Sequence, residues 1–114
     1  IPVTETSIVD FLAVANTSKD LYRVTGTITE IVNADYGNLV ISDGTNQVYT
    51  YGCYPGWGAT GDARKGLVAA KGLKVGDRIT VIGSRTTYTW TNPNTAEVLQ
   101  ELNNGVYFSH EAAE

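Results

Sequence analysis

The feature that most restricts how this chain folds is the run from Leu21 to Val32. Tyr22, Val24 and Ile28 fall on one face of it, and Arg23, Thr25, Thr27 and Thr29 on the other. Alternation of this kind marks a strand with one face buried, and Gly26 interrupts it. A glycine inside a strand marks a bulge or a sharp bend, which a long first strand needs if it is to pair with both halves of a small barrel. Turn residues Asn33 to Gly37 follow, then a strand over Leu39 to Ser42, a hairpin turn at Asp43 to Asn46, and a strand over Gln47 to Tyr51. These three strands read as a meander.

Flanking segments complete an all-β pattern with little helix. Thr4 to Ser7 offer capping residues ahead of Ile8, Val9, Phe11 and Leu12, whose spacing predicts a short amphipathic helix that plugs one barrel end. Asn16 to Asp20 is a polar loop. Gly52 to Gly61 is a glycine-rich loop holding Tyr54 and Trp57, and a helix weakened by Gly66 is expected from Asp62 to about Lys71. After the turn at Leu73 to Asp77 a fourth strand is expected over Arg78 to Tyr88, then a polar loop from Thr89 to Asn94 containing Trp90 and Pro93. The last strand covers at least Val106 to Ser109, and Glu97 to Leu102 fits either a helical turn or the start of that strand.

At 114 residues the chain suits one domain, 1–114, with the barrel over about residues 20–110. Hydrophobic residues make up 42% and charged residues 18%, enough apolar material for a core and too little charge for disorder. The net charge of −4 argues against a strongly electrostatic nucleic-acid binder, which needs clustered Lys and Arg. With one cysteine, Cys53, no internal disulfide or multi-cysteine metal site can form. No stretch approaches the roughly 20 apolar residues of a membrane-spanning helix. A start at Ile1 without any methionine reads as a fragment or a processed form.

A bent long strand, two meander strands, a helix and two more strands is the order of a five-stranded Greek-key OB-fold barrel, with its helix between the third and fourth strands. The phrases Tyr22-Arg23-Val24-Thr25-Gly26-Thr27-Ile28, Val48-Tyr49-Thr50-Tyr51-Gly52, Gly72 to Gly83 and Val106-Tyr107-Phe108-Ser109-His110 resemble a group of bacterial OB-fold domains. Those domains are described as nucleic-acid-binding-like and occur in secreted or lipid-anchored proteins. The resemblance covers roughly residues 5–110 and implies an extracytoplasmic setting. The segment Tyr54 to Gly61 and the long connection before the last strand depart from the group's pattern.

Motifs for catalysis are weak. Gly56 to Gly61 matches G-x-G-x-x-G, but the motif works in a parallel βαβ unit, and here a meander precedes it. A P-loop is excluded because Leu67 and Val68 follow Gly66 where Lys and Ser or Thr are required. His110, the single histidine, has no nucleophile or carboxylate set beside it by a known motif, and Cys53 has no basic neighbour to activate it. No carboxylate cluster resembles a calcium loop, so no enzyme, cofactor or metal is expected.

The aromatic residues carry the functional expectation. Tyr36 falls in the first inter-strand loop, Tyr49 and Tyr51 share one face of the third strand, and Trp90 falls between the last two strands. In an OB barrel these positions flank the face that binds oligonucleotides or oligosaccharides, and bases stack on such rings for about 1 to 3 kcal/mol each. Arg23 and Arg85 are expected at the margins, whereas Arg64, Lys65, Lys71, Lys74 and Arg78 are expected on a solvated helix face away from the groove. Period two leaves open whether Tyr49 and Tyr51 point outward or into the barrel with Val48 and Thr50 outward. The expected function is a noncatalytic binding module whose ligand is single-stranded nucleic acid. The alternative is an accessory module of an extracytoplasmic bacterial protein that contacts carbohydrate or another protein.

Overall fold

The computed structural model describes residues 2–56, 58–59 and 61–113. Six strands and two short helices follow one another as β1 (Val3–Thr6), α1 (Ile8–Ala13), β2 (Leu21–Asn33), β3 (Asn38–Ser42), β4 (Gln47–Tyr51), α2 (Leu67–Lys71), β5 (Arg78–Thr91) and β6 (Val98–Glu111). Strands β2, β3, β4, β6 and β5 pair in that order, and β5 returns to β2, which closes a five-stranded barrel. All its pairings are antiparallel except β4 with β6. β1 lies outside the barrel, parallel to β2. The sequence did not suggest β1, because four residues of mixed polarity carry too little periodicity to register.

β2 closes the barrel by changing partners along its length. Tyr22 to Thr27 pair with β5, and Thr27 to Asn33 pair with β3. Gly26 stands at this changeover, but the bulge expected there lies further on, with register shifts between Ile28 and Glu30 and between Ile31 and Asn33. Gly26 instead permits close approach: a Cβ there would come within 2.9 Å of Ile8 Cδ1 and 3.1 Å of the Ser42 carbonyl oxygen. Val24 and Ile28 point inward and meet Leu39, Ile41, Val48, Ile79, Val81 and Leu102 in one core.

The helices seal this core. Ser7 caps α1 by accepting a hydrogen bond from the Asp10 amide at 3.2 Å, and the helix buries Ile8 and Phe11 in the main cluster. Full burial of a side chain of that size is worth about 1.5 to 3 kcal/mol. The single helix expected over residues 62–71 is divided: Gly61–Arg64 form a 3-10 turn, and α2 starts only after Gly66. Gly66 has φ of 79°, a left-handed conformation that ends one helical segment and precedes the next. Leu67, Val68 and Leu73 then reach the core.

The largest difference from the sequence expectation lies between the last two strands. Trp90 is not in a loop, because β5 continues to Thr91 and β6 already begins at Val98, which resolves the ambiguous stretch as strand. Thr89, Trp90 and Thr91 pair with Gln100, Leu99 and Val98. Polar composition suggested a loop there, but cross-strand pairing needs backbone hydrogen bonds and not apolar side chains.

Candidate ligand-binding face

The pleat of β4 places Val48 and Thr50 in the core, so Tyr49 and Tyr51 point outward. Their environments nevertheless differ. Tyr49 is only 4% exposed, because Trp90 lies flat on it with ring centroids 4.5 Å apart and planes 9° from parallel. The extended β5–β6 hairpin thus folds across the outer face of β2, β3 and β4, where Val40, Tyr49, Leu99, Val32 and Trp90 form a second apolar cluster. Its tip is held by Glu30, which accepts hydrogen bonds from the side-chain amides of Asn92 at 2.9 Å and Asn94 at 3.4 Å. Burial, and secondarily the charge of Glu101, pushes the Tyr49 hydroxyl up to about 12. Two of the four expected stacking residues therefore stack on each other.

Tyr51 is 39% exposed and borders a cleft of about 420 Å3 lined also by Tyr88, Thr89, Glu101 and Asn103. The register explains how Tyr88 arrives there. Arg85 pairs with Leu102 and Thr89 with Gln100, so three residues of β5 stand against one of β6. A bulge re-aims side chains, and this one leaves Tyr88 72% exposed. Glu101 and Asn103 occupy the β6 positions opposite Tyr49 and Tyr51. Among the described residues neither side chain has a hydrogen-bond or ion-pair partner. Burial raises the Glu101 carboxyl above its ordinary value.

The expected marginal arginines are elsewhere. Arg23 pairs with Glu5 of β1 and lies over the Phe108 ring at 4.8 Å. Arg85 is buried, with its guanidinium 5.8 Å from the Phe11 ring centre, and donates to the Val14 carbonyl at 3.2 Å and to the Gln100 side chain at 3.3 Å. Both serve the packing of the N-terminal segment. In their place stands Arg64, which the sequence assigned to a solvated helix face. Its guanidinium lies 4.7 Å from the Tyr36 ring centre, 5.2 Å from Tyr51 and 5.8 Å from Tyr54, and its Nε is buried without a partner. The Lys65 ammonium lies 5.6 Å from Tyr36. The loops are drawn together by the Gly66 amide donating to the Asp35 carbonyl and the Cys53 amide to the Tyr36 carbonyl, both at 3.3 Å. The split helix makes this possible by turning Arg64 back toward the barrel.

Sequence reasoning thus brings Tyr36 and Tyr51 to one face but misses Tyr54, Arg64, Tyr88, Glu101 and Asn103. A signal existed for Tyr88 alone: the Thr86-Thr87-Tyr88-Thr89-Trp90 run has the β-rich composition of a strand that continues. Cys53 is fully buried and its thiol is pushed up to about 12, so little thiolate forms near neutral pH. His110 Nδ1 shares a 2.7 Å hydrogen bond with the Tyr107 hydroxyl. Residues 57 and 60 of the glycine motif lie outside the described residues, and β4 before it pairs antiparallel with β3. Among the described residues no group of three potential metal ligands converges, and no helix is long and apolar enough to cross a membrane.

In comparisons with known proteins no family model, no curated protein and no solved structure matches the chain.

Proposed function

We propose that this chain is a noncatalytic binding module on a Greek-key barrel of the OB-fold type, with α2 as its inter-strand helix, and that it binds neutral saccharide in the Tyr51–Tyr88 cleft. The closure β2-β3-β4-β6-β5 and the position of α2 in the chain between β4 and β5 support the fold reading. The observation that carries the ligand reading is the unpartnered Glu101 carboxylate and Asn103 amide between two exposed tyrosine rings. Sugar hydroxyls donate to a carboxylate and exchange hydrogen bonds with an amide, while the tyrosine faces cover the flat apolar side of the ring.

Charge separates the ligand classes. A phosphate about 4 Å from Glu101 would be repelled by about 1 to 4 kcal/mol at dielectric values between water and a protein surface. A cationic ligand is disfavoured in turn by Arg64, which already lies over Tyr51. The second reading, single-stranded nucleic acid, draws its support from Arg64 and Lys65 at the Tyr36 ring. In that case binding would run along Tyr36 and avoid Glu101. An accessory role in an extracytoplasmic bacterial protein accords with either ligand.

Titration with neutral oligosaccharides and with oligo-dT at low salt, followed by intrinsic fluorescence and amide NMR shifts, tests the assignment. Saccharide is expected to perturb Glu101, Asn103 and Tyr88, and Tyr88→Ala to weaken binding by about tenfold, the equivalent of one stacking contact. Perturbations by oligo-dT centred on Tyr36 and Arg64, with none by saccharide, would replace the first reading by the second.

A further inference from the structure

Asn103 is one of the residues that line the cleft. That residue also lines a second hollow of about 360 Å3, together with Tyr54, Ser84, Asn104 and Val106. No charged side chain lines this hollow among the described residues, and its hydroxyl and amide groups can exchange hydrogen bonds with sugar hydroxyls as Asn103 can in the cleft. One side of its wall is held by the backbone, where the Tyr54 amide donates to the Gly105 carbonyl and the Tyr107 amide to the Tyr54 carbonyl, both at 2.8 Å, and another side is lined by Gly56, Gly58 and Ala59.

At its other end the cleft borders the Tyr49–Trp90 stack. Thr89 and Glu101, two of its lining residues, adjoin the Tyr49–Trp90 stack: Thr89 precedes Trp90, and Glu101 pairs with Tyr49. Beyond the stack, Leu99 packs with Val40, and the hairpin tip is tied to Glu30. A chain lying across the barrel face would have to pass through this hairpin.

We infer that the two hollows form one trough, blind at Trp90 and continuing past Asn103 to Tyr54, so that the module binds the end of a saccharide chain and not its interior. The inference rests on the saccharide reading and adds a second subsite, with Ser84 and Asn104 as its polar contacts and Trp90 as the stop that sets specificity.

Binding of linear gluco-, manno- and xylo-oligosaccharides of increasing length, compared with cyclic maltohexaose, tests it. Affinity is expected to rise by about tenfold from monosaccharide to the length that fills both hollows and then to level off. Ser84→Phe, which fills the second hollow, is expected to abolish that rise in a variant whose amide NMR spectrum shows the barrel intact. The cyclic ligand, which has no end, is expected to bind at least about tenfold more weakly than a linear chain of equal length. Equal binding of cyclic and linear ligands, or a length dependence untouched by Ser84→Phe, would overturn the trough and leave the saccharide reading standing. Failure of every saccharide to bind would overturn both.

Discussion

Glu101 shows how a single residue can oppose stability and serve recognition. Its carboxyl is raised above the ordinary value by burial and lacks a compensating partner. A carboxyl raised in the folded state makes folding less favourable once it ionises, so this penalty is absent at low pH and grows as pH rises through the unfolded value near 4.3. Glu101→Gln should therefore raise the denaturation midpoint at neutral pH while weakening saccharide binding, as read by urea titration and NMR on the same sample. Loss of both stability and binding would identify Glu101 as a structural residue instead. Natural proteins retain such unfavourable groups where function requires them.

Among the elements, the β5–β6 hairpin and α1 have the largest effect on what the barrel can do. The hairpin covers Tyr49 with Trp90 and leaves Tyr51 beside the open cleft. Its tip at Asn92 to Asn94 reads as a loop although the Thr86–Trp90 run has strand composition, and the place where it folds back over the barrel is not encoded by local residues. Helix α1 is different: its capping serine and apolar spacing were legible, and the structure places Ile8 and Phe11 in the core as the spacing requires. Phe11→Ala is expected to cost about 3 to 5 kcal/mol in chemical denaturation, because a fully buried ring leaves a cavity that the closed barrel cannot collapse into. A loss below about 1 kcal/mol would mean that α1 is an ornament on a barrel stable without it.

At the scale of the whole molecule, Asp77 joins distant parts of the chain. It is 1% exposed, and its carboxylate accepts hydrogen bonds from the amides of Ala113 at 2.9 Å and Lys74 at 3.0 Å. Its carbonyl accepts from the Ile28 amide at 2.8 Å, which ties the turn before β5 to the middle of β2. The Ala113 amide, with that of Lys74, holds the carboxyl below its ordinary value. A depressed folded value stabilises the protein above the unfolded value near 3.9, and the contribution is lost as pH falls through the folded one. Asp77→Asn should lower stability at neutral pH and flatten its decline below about pH 4, measured as the urea midpoint against pH. An unchanged acid limb in the variant would assign that decline to other carboxylates.

The sequence by itself determined the class and the parts: a bent first strand, a meander, a capped helix and a Gly-Asp turn leading into a β-branched strand. Those features are local, since side-chain period and turn chemistry act over a few residues. Only the tertiary structure decided which tyrosines are free. The phase of β4 in the pleat depends on which face meets the core, and Tyr49 and Tyr51 shared that phase from the start. What separated them was a hairpin contact between residues 41 positions apart in the chain, Tyr49 and Trp90. The same long-range packing turned Arg64 onto Tyr36 and Tyr51 and sent Arg23 and Arg85 elsewhere. Strand propensity is written residue by residue, but the surface a barrel leaves open is set by contacts between segments that the sequence keeps far apart.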